Sequence, residues 1–429
     1  MTSEERKQLL SEIQKKHEPY TTGVPLVFHG ERKQFNVYRI PLDILTYNPY
    51  NGRIGSVVKS FERQNHTLDA NNPEDIKIIE DFLWKSKETA NKKTIESLLN
   101  DHQQKFGIVT ADGKIIDGNR RASLLNKIWN DNSIDVNKKQ HCQYFYAIIL
   151  PTDADKKEIL RLETTYQMGE DAKVDYNPIE KYLKCGDLDA EGFTVDEIAS
   201  FMGINKAEVQ TQLRVLNLMN DYLEYCGYDG MYTQLGNNED SFIKLESALK
   251  KYKAGGVTSM WDYEPDTDVT DLKSCAFDYI RLGFHQDDFR DIIRTPKTSS
   301  SSFFASKEIW ESFRDKHFSI VEEIQETPVD NLIKENPLAD VSRLLKMRDN
   351  EWREKVKDNL NRNYEEHHDK LSNKQESNEP LRLLNKALDA LLNINNKSLK
   401  SIPFNEVNSR IYSIESKLDE LKNSMSGNE

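Results

Sequence analysis

Lys114-Ile115-Ile116-Asp117-Gly118-Asn119-Arg120-Arg121-Ala122-Ser123-Leu124-Leu125 is the stretch on which the reading of this chain turns. A short apolar strand passes through Asp-Gly directly into a helix that opens on two arginines. That is phosphate-site chemistry. Free backbone N–H groups and the positive end of the helix dipole face the turn, Gly118 permits close backbone approach, and two guanidinium forks can each grip phosphate oxygens in pairs. The competing reading is a plain strand-turn-helix joint whose arginines cap a surface acidic patch.

The neighbourhood adds weight to the first reading. Phe106 to Val109 and Lys114 to Ile116 are apolar runs joined at Ala111-Asp112-Gly113, which is hairpin chemistry. Further upstream, Tyr38-Arg39-Ile40-Pro41-Leu42-Asp43-Ile44-Leu45 leads into Tyr47-Asn48-Pro49-Tyr50-Asn51-Gly52-Arg53. Downstream, Glu163, Gln167 and Glu170 precede Tyr176-Asn177-Pro178-Ile179-Glu180.

A helix-turn-helix pattern follows at 194–215. Counted from Val195, the fifth residue is Ala199, the ninth Gly203 and the fifteenth Val209, with Ile198, Ile204 and Leu213 in the other core slots. A small fifth residue lets two helices cross closely, and glycine at the ninth supplies a left-handed turn. Thr194 with Glu197 predicts a capping box. Lys206, Gln210, Thr211, Gln212 and Arg214 lie on the second helix, and these residue types read base edges and phosphates. A helical hairpin without DNA contact is the alternative, which Glu208 favours.

In this order the motifs resemble the ParB/sulfiredoxin-like superfamily, and its ParB/KorB branch in particular, over roughly residues 35–220. There an "I…NP…R" element precedes a hairpin ending in "G-E-R-R", then an "E-N-x-x-R…L-N-P-x-E" segment, then a helix-turn-helix. The resemblance implies a small domain that holds a nucleoside triphosphate (CTP or ATP) with Mg2+. Gly118, Asn119, Arg120, Arg121, Arg53, Asn177 and Glu180 would hold or brace the phosphates, and Glu163, Glu170 and Asp117 would serve a metal, a ribose or catalysis. The chain departs from the pattern at Asn119, where the family has glutamate, and in the "E-N-x-x-R" box, where Thr164 follows Glu163 and Asp171 follows Glu170. Sulfiredoxin-type repair needs a cysteine before its arginine, and Asn119 stands there. The nucleotide, the metal and a hydrolytic step are therefore left open.

Bulk properties set outer bounds. The chain has 429 residues, 31% charged and 37% apolar, and a formal charge of −13. That length calls for two or three domains, and that charge excludes a generic polyanion coat, so any DNA contact needs a local basic surface. Cys142, Cys185, Cys226 and Cys275 lack zinc-ligand spacing and fit a reduced, cytoplasmic setting. The first residues lack the apolar core of a signal peptide, and no run reaches membrane-span length.

The fold class expected is α+β: a small mixed domain followed by a mostly helical remainder. The divisions expected are a helix and polar extended arm at 1–36, the phosphate-binding domain at 37–152, a helix-turn-helix domain at 153–225, a helical domain without an assigned role at 226–370, and C-terminal helices at 371–429. In the tail, Leu381, Leu384, Leu388 and Leu391, then Val407, Ile411, Ile414, Leu418, Leu421 and Met425, follow three-four spacing. Each stripe is too short to hold alone, which predicts pairing and favours a homodimer over a hairpin within one chain. Adjacent His367 and His368 point different ways on a helix and predict a solvated face.

Three functions follow. The first is a nucleotide-gated DNA-binding protein with, by resemblance, a ParA-type or defence-system partner. The second is an enzyme on the same fold, an NTPase, nuclease or phosphotransferase. The third is a helical adaptor with a degenerate pocket.

Overall fold

The computed structural model describes residues 1–166, 178–254, 261–284, 290–295, 301–336, 341–395 and 402–426. It is α+β, as expected: a five-stranded sheet with its covering helices, then helices alone among the described residues.

The chain opens with α1 (Ser3–Lys16), capped by a Thr2–Glu5 box, and runs into the hairpin β1 (Thr21–Phe28) and β2 (Glu31–Pro41). This corrects the expected extended arm at 19–36, and the boundary at 36 falls inside β2. The arm reads as an unpaired extension because its polar side chains lie on the solvent-facing edge pair of the sheet, where a polar pattern conceals strand pairing. After β2 come α2 (Gly55–Gln64), α3 (Pro73–Lys85) and α4 (Glu88–Asp101). Then follow β3 (Gly107–Val109), β4 (Ile115–Asp117), α5 (Asn119–Asn130), α6 (Val136–Lys139), β5 (Tyr144–Ile149) and α7 (Lys156–Thr164).

The sheet order is β1-β2-β5-β3-β4, with β3 parallel to β5 and every other neighbour antiparallel. Strand alternation sorts the side chains. Val109, Ile115, Phe145, Ala147 and Ile149 join a core with helices α2 to α5, whereas Ile108, Ile116 and Ile148 meet Leu162 of α7 on the opposite face. The β3–β4 hairpin is thereby clamped between two cores, and α5 packs into the first of them, which fixes the turn between β4 and α5.

The helical part comprises α8 (Pro178–Ala190), α9 (Val195–Met202), α10 (Lys206–Tyr225), α11 (Glu239–Lys253), α12 (Asp268–Leu282), α13 (Arg290–Ile293), α14 (Lys307–Glu322), α15 (Val329–Glu335), α16 (Val341–Leu392) and α17 (Phe404–Ser426). Its core is aromatic, with Phe242, Tyr252, Tyr279, Trp310, Phe313 and Trp352 buried. Buried Arg281 joins it together, reaching Asp349 at 2.7 Å and Glu326 at 2.7 Å. The expected boundary at 370 cuts through α16, which continues past it and contains Pro380. No helix among the described residues is long and apolar enough to cross a membrane.

Between the two parts lies α2. Lys59 pairs with Asp187 of α8 at 2.7 Å, and Ser60 Oγ accepts from the Thr233 N–H at 3.1 Å. Buried Glu180 of α8 meets the first turn of α2.

Candidate functional site

At the turn, Gly118 stands in the left-handed region, φ 101°, and is the residue before the first helical turn of α5. A methyl group there would lie 2.6 Å from the Phe145 ring, so the glycine is required by conformation and by space. Its carbonyl accepts the first helical bond from the Ala122 N–H at 2.8 Å.

Asn119 is placed differently from expectation. It is buried; its Oδ1 accepts from the Asn48 N–H at 2.7 Å and its Nδ2 donates to the Ile115 carbonyl at 3.1 Å. Both ends of the amide are thus spent on backbone, and the residue does not face a ligand. A carboxylate could accept the first bond but could not donate the second, which accounts for asparagine where the resembled pattern has glutamate. The bond also joins the Asn48-Pro49 loop to the arginine turn, 71 positions apart in sequence. Inside that loop Asn51 donates to the Asn48 carbonyl at 2.8 Å and accepts from the Arg53 N–H at 3.1 Å, which fixes the backbone that carries Arg53.

The cations gather here. Arg120 donates to Thr94 Oγ1 of α4 at 3.1 Å, and Arg121 to the Lys105 carbonyl at 2.6 Å. Lys87, immediately before α4, is held below the usual lysine range by burial and then by the positive fields of Arg53 and Arg120. Three cations from three separate elements therefore share one field, beside the N-terminus of α5. Like charges assembled this way stabilise a bound anion and repel one another without it. Lys87 was not visible in the sequence, because a single lysine between two helices carries no motif.

Of the expected carboxylates, Asp117 ends β4, paired with Ile108. Glu163 is buried, with Lys184 Nζ 3.1 Å from its Oε1, an ion pair without hydrogen-bond alignment and not an open ligand position. Glu180 accepts from the Ser56 N–H at 2.9 Å and from the Ser56 hydroxyl. It thereby caps α2, whose own preceding residue, Ile54, has no capping side chain. Burial raises its carboxyl above the ordinary value, and the two Ser56 bonds partly offset this. Glu170 and Asn177, with Gln167, lie outside the described residues. Among the described residues no group of three or more His, Cys, Asp or Glu is arranged to hold a metal ion.

Two clefts of 440 and 470 Å3 open along α5 beyond the turn and share Asn126 and Asn130. Tyr47 and Trp129 line one and Trp84 the other, but neither is lined by Arg53, Lys87 or Arg120.

The helix-turn-helix forms as the spacing predicts. Thr194 and Glu197 make the capping box, Gly203 has φ 67°, the Ile204 N–H returns to the Ala199 carbonyl at 3.0 Å, and Asn205 caps α10. Ile198 and Val209 are fully buried between the helices. The five residues assigned to DNA do not act as one set. Lys206 pairs with Asp196 at 2.6 Å, Thr211 donates to the Ala207 carbonyl at 2.9 Å, and Arg214 is bound to buried Glu246 of α11 and to Thr211. Gln212 turns its amide oxygen inward, where it is buried without a hydrogen-bond partner. Lys206 and Gln210 are the exposed members, beside exposed Asp189, Asp196, Glu197 and Glu208.

Compared with known proteins, this chain matches no family model, no curated protein and no solved structure.

Proposed function

We propose that this chain is a nucleotide-responsive DNA-binding protein of ParB-like design. In this reading the turn at Gly118, with Arg53, Lys87, Arg120 and Arg121, holds the phosphates. Occupancy is passed to the helical part through α2 and Glu180, and Lys206 and Gln210 of α10 meet DNA. The observation that carries the proposal is the convergence of Arg53, Lys87 and Arg120 on a glycine turn, in a chain whose net charge is −13. An acidic protein that collects cations at one helix N-terminus gains from doing so when an anion binds there. The enzyme reading has less support. Glu163, one of its carboxylates, is committed to Lys184.

Calorimetric titration with CTP, ATP and GTP in the presence of magnesium tests the proposal, beside an Arg120→Ala/Arg121→Ala variant. Charge-assisted hydrogen bonds contribute about 1.5–3 kcal/mol each, so losing two weakens binding on the order of 100-fold or more. The anisotropy of a labelled duplex at low salt should then change on addition of the nucleotide that binds. If no nucleotide binds, the phosphate reading fails; if one binds and DNA does not respond, the gating fails and the pocket stands.

A further inference from the structure

Strand alternation puts Val37 and Arg39 of β2 on the same sheet face as Tyr144, Tyr146 and Ile148 of β5, with Val37 paired to Ile148 and Arg39 to Tyr146. At one end of that face Val37 and Ile148 are buried with Leu162 of α7. At the other end Arg39 is exposed, and Tyr144 and Tyr146 are only half-buried. Tyr20, 57% exposed, lies against Tyr146 with ring centroids 4.4 Å apart, and Phe106 meets Tyr20 edge-on at 6.1 Å. The Arg39 guanidinium stacks on Tyr144, 3.6 Å from the ring centroid. Burial raises the Tyr146 hydroxyl above its ordinary value, and the fields of Arg39, Tyr20 and Tyr144 all reach it. Four rings and a guanidinium thus make one continuous strip. Tyr144 also stands in the wall of the 440 Å3 cleft, together with Gln143, Asn126 and Asn130.

We propose that this strip binds single-stranded nucleic acid by stacking its bases. Aromatic rings and a guanidinium plane accept any base face, so each adds affinity without regard to sequence. The amides of the adjoining cleft can hydrogen-bond the edge of a base turned off the end of the strip. The backbone of such a strand needs cations at the margin, and exposed Arg39 and Lys105, the residue before Phe106, stand there. Charge over this part of the chain is compatible with a polyanion. Residues 1–166 carry 25 Lys and Arg against 23 Asp and Glu, so the acidic excess of the chain belongs to the residues after 166. No residue of the strip belongs to the arginine turn or to α10, and the site does not depend on the nucleotide or duplex contacts proposed above.

The test uses the full chain and the anisotropy of labelled oligothymidylate and oligouridylate of about fifteen nucleotides at low salt. At least one strand should bind, and the tighter of the two names the natural one. An abasic strand of the same length should bind at least about tenfold more weakly, and an unlabelled duplex should fail to compete. Tyr20→Ala and Arg39→Ala, both at exposed positions, should each weaken binding about tenfold with an unchanged far-UV spectrum. Tyr20→Trp should keep the affinity, and its emission should be quenched as a base stacks on it, which a merely structural side chain would not show. No binding of either strand, equal binding of the abasic strand, displacement by duplex, full affinity in both alanine variants, or an unquenched Tyr20→Trp would each overturn the proposal.

Discussion

The arginine turn and the helix-turn-helix are both short motifs built round a left-handed glycine, yet their cations sit in different surroundings. At the turn, Arg53, Lys87 and Arg120 come from three elements and share one field. On α10, Lys206 is matched by Asp196 and Arg214 by Glu246. The lesson is that a motif positions side chains, whereas residues far away in sequence decide what charge surrounds them. Cations that converge from separate elements add their fields at one place, which favours an anion there.

The two glycines offer the sharpest contrast. Gly118→Ala meets both the strain of the left-handed region, about 1–2 kcal/mol, and crowding against Phe145, about 1–3 kcal/mol, so a loss of about 2–5 kcal/mol is expected. Gly203 has open space around it, and Gly203→Ala should cost only the first of these, about 1–2 kcal/mol. Urea midpoints for the two variants check this, and equal losses would mean that the turn at 118 is not tightly enclosed.

Next in size, Arg214→Ala should cost about 1–3 kcal/mol of stability, because it leaves the carboxylate of buried Glu246 without its arginine. It should leave duplex affinity unchanged. Lys206→Ala/Gln210→Ala should do the reverse. If Arg214→Ala weakens DNA binding while stability holds, the division of α10 drawn above is wrong.

The smallest expected effect concerns Glu180. Its carboxyl is raised by burial, so the folded state holds the proton more tightly than the unfolded chain does. Stability is therefore lost as pH rises from the ordinary value of 4.5 through the elevated folded one. Glu180→Gln should flatten that part of the stability curve between pH 4 and 8, and an unaltered slope would place the titrating group elsewhere.

Much of this was legible in sequence, for a physical reason. The β4–Gly118–α5 joint and the 194–215 unit are local, encoded by hydrophobic period, a capping box and glycines whose conformations no other residue adopts easily. The β1–β2 hairpin escaped because its edge position leaves polar residues facing water. Asn119 was read as a ligand contact because its bond to Asn48 spans 71 positions, and Arg214 as a DNA contact because Glu246 lies 32 positions on. Lys87 had no local signal at all and emerges only when α4 is packed against α5.

That lysine gives the most direct test of the central claim, that convergence of cations and not the motif alone makes the anion site. Inorganic tripolyphosphate, without nucleoside or metal, would be titrated into the full chain and into Lys87→Met between pH 7 and 10. The account predicts binding by the wild type that weakens as pH rises, from below the ordinary lysine range, as Lys87 loses its proton. It also predicts about tenfold weaker binding by Lys87→Met, with a flatter pH profile. Equal affinity for the two proteins at every pH would contradict it.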